Sequence, residues 1–315
     1  MCSALTVLAG FLNVTYTYSD TLSDCTIVLG PGNFTNIKNA PSNSTVCLIP
    51  GKYQVKALDI ANKSLTIRGL GSQPGDVKIE LTKGSLKLAP RGNETVVIRN
   101  LSVESRTNSS AIQIYYPGGA RSGARGGRGV VYDIGGVILD NLLVNATNAI
   151  STSVQVGPHI TLRSFVPRNS VILAGDTGVQ IGPHSSVTGV IVIENNTIRA
   201  NETGIQVGPG ASVVAYLRIS YNNITAGRIG IQMGPTTGPK EKGSPSGIGI
   251  LEVIENTIAS NTSRVIEIRS FITYNAFIYL NTFLGNGSRV TFHIDTKLVN
   301  PSVVFFNTPN KMKCP

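Results

Sequence analysis

The chain has 315 residues and a formal net charge of +10, with 14% charged and 41% hydrophobic residues, 34 glycines and no tryptophan. That apolar fraction and sparse charge exclude intrinsic disorder. No run of about 20 apolar residues argues for a membrane span, and the Glu/Lys/Leu heptads of a coiled coil are missing. Glycine and β-branched residues predict many short strands joined by tight turns.

In chain order, Met1 to Leu12 is apolar but lacks the basic start and cleavage site of a signal peptide. Asn13-Val14-Thr15-Tyr16-Thr17-Tyr18 alternates, and is expected to cover the first turn of the fold or to pair with another chain. Residues 1–44 form this N-terminal segment. From residue 45 to 310 one pattern dominates. Val154-Gln155-Val156-Gly157-Pro158 recurs as Val179-Gln180-Ile181-Gly182-Pro183, Ile205-Gln206-Val207-Gly208-Pro209 and Ile231-Gln232-Met233-Gly234-Pro235. The glutamines are 25, 26 and 26 residues apart. Degraded copies stand at Ile112-Gln113-Ile114, Ile266-Glu267-Ile268 and Phe292-His293-Ile294. Insertions near 117–136 and 235–248 break the period, and 311–315 is a short tail.

A parallel column consists of Asn196, Asn222, Asn256, Asn281 and Asn307, with Asn100 and Asn141 assigned the same role earlier and Ser170 standing in for asparagine between them. A period near 25 describes a solenoid with several strands per turn, stacked as parallel ladders about 4.8 Å apart. Alternation points the aliphatics of Ile-Gln-Val inward and the glutamine outward. The asparagines are expected to form an interior ladder, each amide bonding those above and below. The outward glutamines are expected to form an amide ladder rather than a recognition face. Gly-Pro in each full repeat excludes a helical one.

Glu194-Asn195-Asn196-Thr197-Ile198 followed by Gly204-Ile205 resembles the repeat of right-handed parallel β-helix proteins that bind or hydrolyse carbohydrate. Ile49-Pro50-Gly51-Lys52-Tyr53, Ser64-Leu65-Thr66-Ile67-Arg68-Gly69 and Val96-Val97-Ile98-Arg99-Asn100-Leu101 are similar to the early turns of pectate-lyase-like chains. The resemblance implies an all-β fold, a single-stranded right-handed parallel β-helix of the pectin-lyase-like superfamily. It also implies that an enzyme of this kind would need clustered carboxylates, to hold calcium or to act as acid and base. Here 17 carboxylates are spread thinly. Asp133 and Asp140 have no acids at the repeat spacing, Glu194 aligns with Ser220, and Glu255 with Tyr221. The Asp-Asp and Gly-His-Gly phrases of polygalacturonases are missing. The expectation is a protein without a catalytic site or cofactor. His159 and His184 are 25 residues apart, but Gly210 and Thr236 continue their column without a ligand, so they are read as turn surface rather than a metal site.

Thirteen Asn-x-Ser/Thr sequons occur, where 26 asparagines and 56 serines plus threonines would give roughly 4 to 5 by chance. Setting aside Asn100 as a ladder residue, the expected glycosylation sites are Asn13, Asn33, Asn43, Asn62, Asn93, Asn108, Asn145, Asn195, Asn201, Asn223, Asn261 and Asn286. Four cysteines, Cys2, Cys25, Cys47 and Cys314, fit an oxidising compartment and have no CxxC spacing. Either Cys25 pairs locally with Cys47, leaving Cys2 and Cys314 at opposite ends of a body about 50 Å long, or Cys2 pairs with Cys25 or Cys47. Arg121, Arg125 and Arg128 lie in the first insertion and suit a polyanion or subunit contact, with acidic polysaccharide preferred over nucleic acid. Val303-Val304-Phe305-Phe306-Asn307 is a complete strand with only a short segment after it. The expected function is an extracellular structural glycoprotein that polymerises head to tail with itself. The alternative is a secreted carbohydrate-binding or carbohydrate-cleaving β-helix.

Overall fold

The computed structural model describes residues 22–115, 132–158, 160–183, 185–208, 211–234, 247–261, 264–268, 271–284, 293–294 and 302–308. Cys2, Cys314, Asn13, Asn286, Arg121, Arg125, Arg128, His159, His184 and the alternating segment at 13–18 lie outside these residues, as does the side chain of Asn307.

The chain folds as a parallel β-helix. Between Ser44 and Ile294 each coil contributes a strand to each of three faces, and every strand ladder is parallel. One coil shows the plan: Ser186–Glu194 lies on the first face, Thr197–Ala200 on the second and Thr203–Val207 on the third. The next coil repeats it as Ser212–Ser220, Asn223–Ala226 and Ile229–Met233. Register joins Ile191 to Leu217, Ile198 to Ile224 and Gln206 to Gln232. Alternation puts every second residue inside, where neighbouring coils stack like on like. Ile27, Val46, Ile67, Ile98 and Leu139 form one such file. All but Ile27 are essentially inaccessible to water. Each buried aliphatic contributes about 1.5–3 kcal/mol, which offsets the entropy of ordering a chain made almost wholly of long-range contacts.

Three kinds of corner turn the chain. Between the first and second faces one residue in each of seven successive coils is left-handed: Asn100, Asn141, Asn169, Asn195, Tyr221, Glu255 and Leu280, with φ between 51° and 57°. Asparagine tolerates this region better than other side chains. The corner into the third face needs Gly178, Gly204 and Gly230. A Cβ on Gly204 would sit 2.4 Å from Ile224 and 2.5 Å from the Gly230 carbonyl oxygen. The third corner is the Gly-Pro step.

The parallel ladder begins earlier than residue 45. Ile27–Leu29 already pairs with Ser44–Leu48, and the Cys25–Cys47 disulfide joins the two coils with 5.7 Å between Cα atoms. The 3₁₀ segment Pro31–Asn39 buries Phe34 and Ile37 beneath the second face, with Phe34 edge-on to Tyr53 at 5.0 Å. The Tyr53 hydroxyl reaches the carbonyls of Leu29 and Ile49. The insertions are also shorter than the sequence suggests. Strand Tyr132–Ala146 takes in residues 132–136, because Tyr132 to Ile134 pair with Ile160 to Leu162. Strand Gly247–Ile254 takes in 247 and 248.

Candidate functional site: polar columns on and within the coils

Stacking places equivalent residues of successive coils side by side, so any polar group in the repeat becomes a column. The innermost column is the asparagine ladder. Asn196, Asn222, Asn256 and Asn281 are buried, and Nδ2 of each of the first three donates to the next Oδ1 at 2.9–3.0 Å. Each Oδ1 also accepts the backbone N–H of the preceding coil, from Ser170 through Asn256. Nδ2 further donates to strand-end carbonyls, as Asn222 does to Ile193 and Ser220. The corner is thereby satisfied where no water reaches. Ser170 continues the column with a hydroxyl that accepts from Leu142 N and donates to the Arg168 carbonyl.

Asn100 and Asn141 are not in this ladder. They occupy the left-handed corner one residue earlier, and buried Leu101 and Leu142 take the interior position. Asn141 donates to Asn100, and Asn100 donates to the carbonyls of Gly69 and Gly71. Asn195 donates to Asn169 and Asn169 to Asp140, so the corner carries an outer amide column of its own.

On the third face the glutamines form a row with one polarity. Nε2 of Gln113, Gln155, Gln180 and Gln206 each donates to Oε1 of the next glutamine, at 2.6–3.2 Å. Gln232 donates to the Glu267 carboxylate at 3.4 Å. A carboxylate only accepts, so the row's end sets the orientation of every amide above it. At the other end Lys87 is the register neighbour of Gln113. The carbonyl end of the row thus begins beside a cation, and the N–H end finishes on an anion.

Charge forms columns too. On the first face Arg99, Asp140, Arg168 and Glu194 succeed one another in register. Arg168 bonds Asp140 at 3.1 Å. On the second face Glu80 and Glu104 are register partners, so the thinly spread carboxylates do include one pair stacked on adjacent coils. Their spacing of 24 residues is the signal that would have found them. Three cations close the pair: Lys52 binds Glu80, Lys78 binds Glu104, and Arg106 Nε lies 3.0 Å from the first and 3.3 Å from the second. A hydrogen bond from Lys52 holds the Glu80 carboxyl below the usual carboxylate range, aided by Arg106 and opposed by burial. Glu80 is therefore ionised at neutral pH and has no proton to give.

The most varied cluster lies further along the first face. Tyr216 donates to Glu252, Arg218 lies 3.9 Å from Glu252 and donates to Ser220, and the half-exposed Tyr221 hydroxyl is 3.3 Å from Glu255. Burial, then the Glu252 contact, pushes Tyr216 up to about 12. The Glu255 charge raises Tyr221. Both phenols stay protonated near neutrality, which suits hydrogen-bond donation and not proton abstraction. Among the described residues no group of three or more His, Cys, Asp or Glu is arranged to hold a metal.

Of the expected glycosylation sites, Asn33, Asn43, Asn62, Asn93, Asn108, Asn195, Asn201, Asn223 and Asn261 are exposed, and Asn145 is half-buried. No described helix is long and apolar enough to cross a membrane.

No protein-family model and no curated protein matches the chain. Among solved structures it is similar to ORF18 of Geobacillus virus E2, at 14% identity and TM-score 0.38, over 90% of this chain and 62% of that one. It is also similar to a mannuronic acid specific polysaccharide family 6 lyase enzyme from human gut microbiota, at 12% identity and TM-score 0.25, over 90% and 91% of the two chains. The parallel ladders, not these likenesses, carry the fold.

Proposed function

We propose that the protein is an extracellular structural glycoprotein whose β-helix assembles end to end. The observation that carries this is the placement of the two end strands. Ile27–Leu29 and Ser302–Thr308 lie on the same face and run in the same direction, and each pairs along one edge only among the described residues. A second molecule placed axially would continue the ladder from one edge to the other. Such a contact is heterologous and propagates into a filament. The plugged core under the second face, with Phe34 and Ile37 inside, leaves the Ile27–Leu29 edge as the pairing surface at that end. The exposed sequons and the Cys25–Cys47 disulfide favour an oxidising, glycosylating compartment. Cys2 and Cys314 are the candidates for covalent links between molecules.

Electron microscopy of native material tests this directly. Filaments with an axial repeat of about 50 Å, set by the eleven described first-face strands at the strand spacing, are expected. On non-reducing gels the same material should form a ladder that reductant collapses. A uniform monomer with unmodified asparagines overturns the proposal.

The Tyr216, Arg218, Tyr221 and Glu252 cluster favours one second reading, a secreted carbohydrate-binding β-helix. Protonated phenols, a guanidinium and carboxylates on an open face suit sugar hydroxyls. Retention on an acidic polysaccharide column that Y216F and R218A both abolish would promote this reading. Equal retention of both variants would remove it.

A further inference from the structure

The outer corner between the second and third faces holds a hollow of about 390 Å³, bounded by Leu173, Arg199, Asn201, Thr225, Gly227 and Asn261. That is within the size range of small-ligand clefts. It exists because of one column. Ala146, Ala174, Ala200, Ala226 and Ser260 are register partners, so the residues after them also align: Thr147, Gly175, Asn201, Gly227 and Asn261. Asn201 is therefore flanked on both sides by glycine. Neither glycine is replaceable in this backbone, since a Cβ on Gly227 would lie 1.8 Å from the Asn201 carbonyl oxygen and one on Gly175 1.7 Å from that of Asn148. The exposed amide of Asn201 thus stands over bare backbone, with the Leu173 side chain and the exposed Arg199 beside it. Among the described residues the Arg199 guanidinium has no carboxylate within ion-pair reach and no hydrogen-bond acceptor, while its backbone pairs within the ladder.

Asn201-Glu202-Thr203 is a sequon. We propose that this hollow is the seat of an N-linked glycan on Asn201, whose first sugars lie across Gly227 with Arg199 donating to their hydroxyl or acetamide oxygens. The proposal rests on the extracellular glycoprotein reading and goes beyond it, because it packs the glycan of one sequon on the protein; Asn261, the second sequon at this hollow, has a glycine on one side only among the described residues. By contrast Asn223 lies in register between Thr197 and Thr257 and has no glycine floor beside it; its glycan would extend into solvent.

The test uses the full chain secreted from a eukaryotic host, with site occupancy and native-state endoglycosidase release followed at each sequon by mass spectrometry. Release from Asn201 is expected to be slower than from Asn223 by about tenfold or more, the protection that a packed group gains over a free one. R199A and L173D, which leave both sequons intact, should bring the two rates within about threefold. N201Q should lower the melting temperature of glycosylated protein but not of protein made in a bacterial host. Equal release rates, or an empty Asn201 beside occupied sequons, overturn the seat and leave the glycoprotein reading standing. Empty sequons throughout overturn both.

Discussion

Replacing Asn222 probes the interior ladder at its centre. The side chain is buried, its Oδ1 accepts from Asn196 N and Asn196 Nδ2 at 3.0 Å, and its Nδ2 serves the Ile193 and Ser220 carbonyls and Asn256. N222A strands the buried Asn196 N–H and removes the amide donor that serves the Ile193 carbonyl. At about 1–3 kcal/mol for each, the loss should be roughly 3–5 kcal/mol. N222S supplies a built-in comparison. Ser170 already fills one ladder position, and its hydroxyl accepts the N–H of the coil before it. A serine at 222 should therefore rescue Asn196 N–H but not the Ile193 carbonyl, for a loss of about 1–3 kcal/mol. Urea unfolding followed by circular dichroism gives the order, and hydrogen exchange at the Asn196 amide locates the effect. That amide should exchange fastest in N222A and recover most of its protection in N222S. If the two variants lose equal stability, within about 0.5 kcal/mol, the hydrogen-bond account of the ladder is wrong and packing alone explains it.

Other expectations follow from the same geometry. E267Q keeps an acceptor for Gln232 and should unfold close to wild type, whereas E267K sets donor against donor at a buried site and should cost about 2 kcal/mol or more, both read from denaturant midpoints. Replacing Cys25 and Cys47 by serine opens a loop of 22 residues, worth roughly 3 kcal/mol, and hydrogen exchange should show the loss confined to the first coils. G204A forces a Cβ into Ile224 and the Gly230 carbonyl and should lower stability by about 1–3 kcal/mol in thermal melts. The folded-state carboxyl of Glu80 is depressed, so its contribution is full above the unfolded carboxylate value and is lost as pH falls through the lower folded value. Acid titration of E80Q should therefore show a shallower stability decline in that window than wild type.

The third-face strands were legible because a side-chain amide row works only if each coil presents the same residue, so the repeat spacing is written in Gln155, Gln180, Gln206 and Gln232. The solenoid itself followed from that spacing. The asparagine columns were half legible. A left-handed corner and a buried ladder both select asparagine, and they are adjacent in doublets such as Asn195-Asn196. Asn100 and Asn141, each standing alone, were therefore assigned to the wrong one of the two. Glu80 and Glu104 were missed because second-face strands share no phrase with the glutamine repeat. Tyr216 and Glu252 are 36 residues apart across an insertion, so only three-dimensional register brings them together. Packing rules that act locally leave a trace in sequence, whereas pairings that depend on insertion length do not.

The one-way glutamine row has a consequence for how such a chain can change. An interior position must both give and take a hydrogen bond, which few side chains do at one fixed distance. Lysine and glutamate each do only one of these, so they can stand only where the row starts or stops. Lys87 and Glu267 therefore act as punctuation. A coil duplicated between them would extend the sentence without altering its grammar, while one copied with either residue included would end it early.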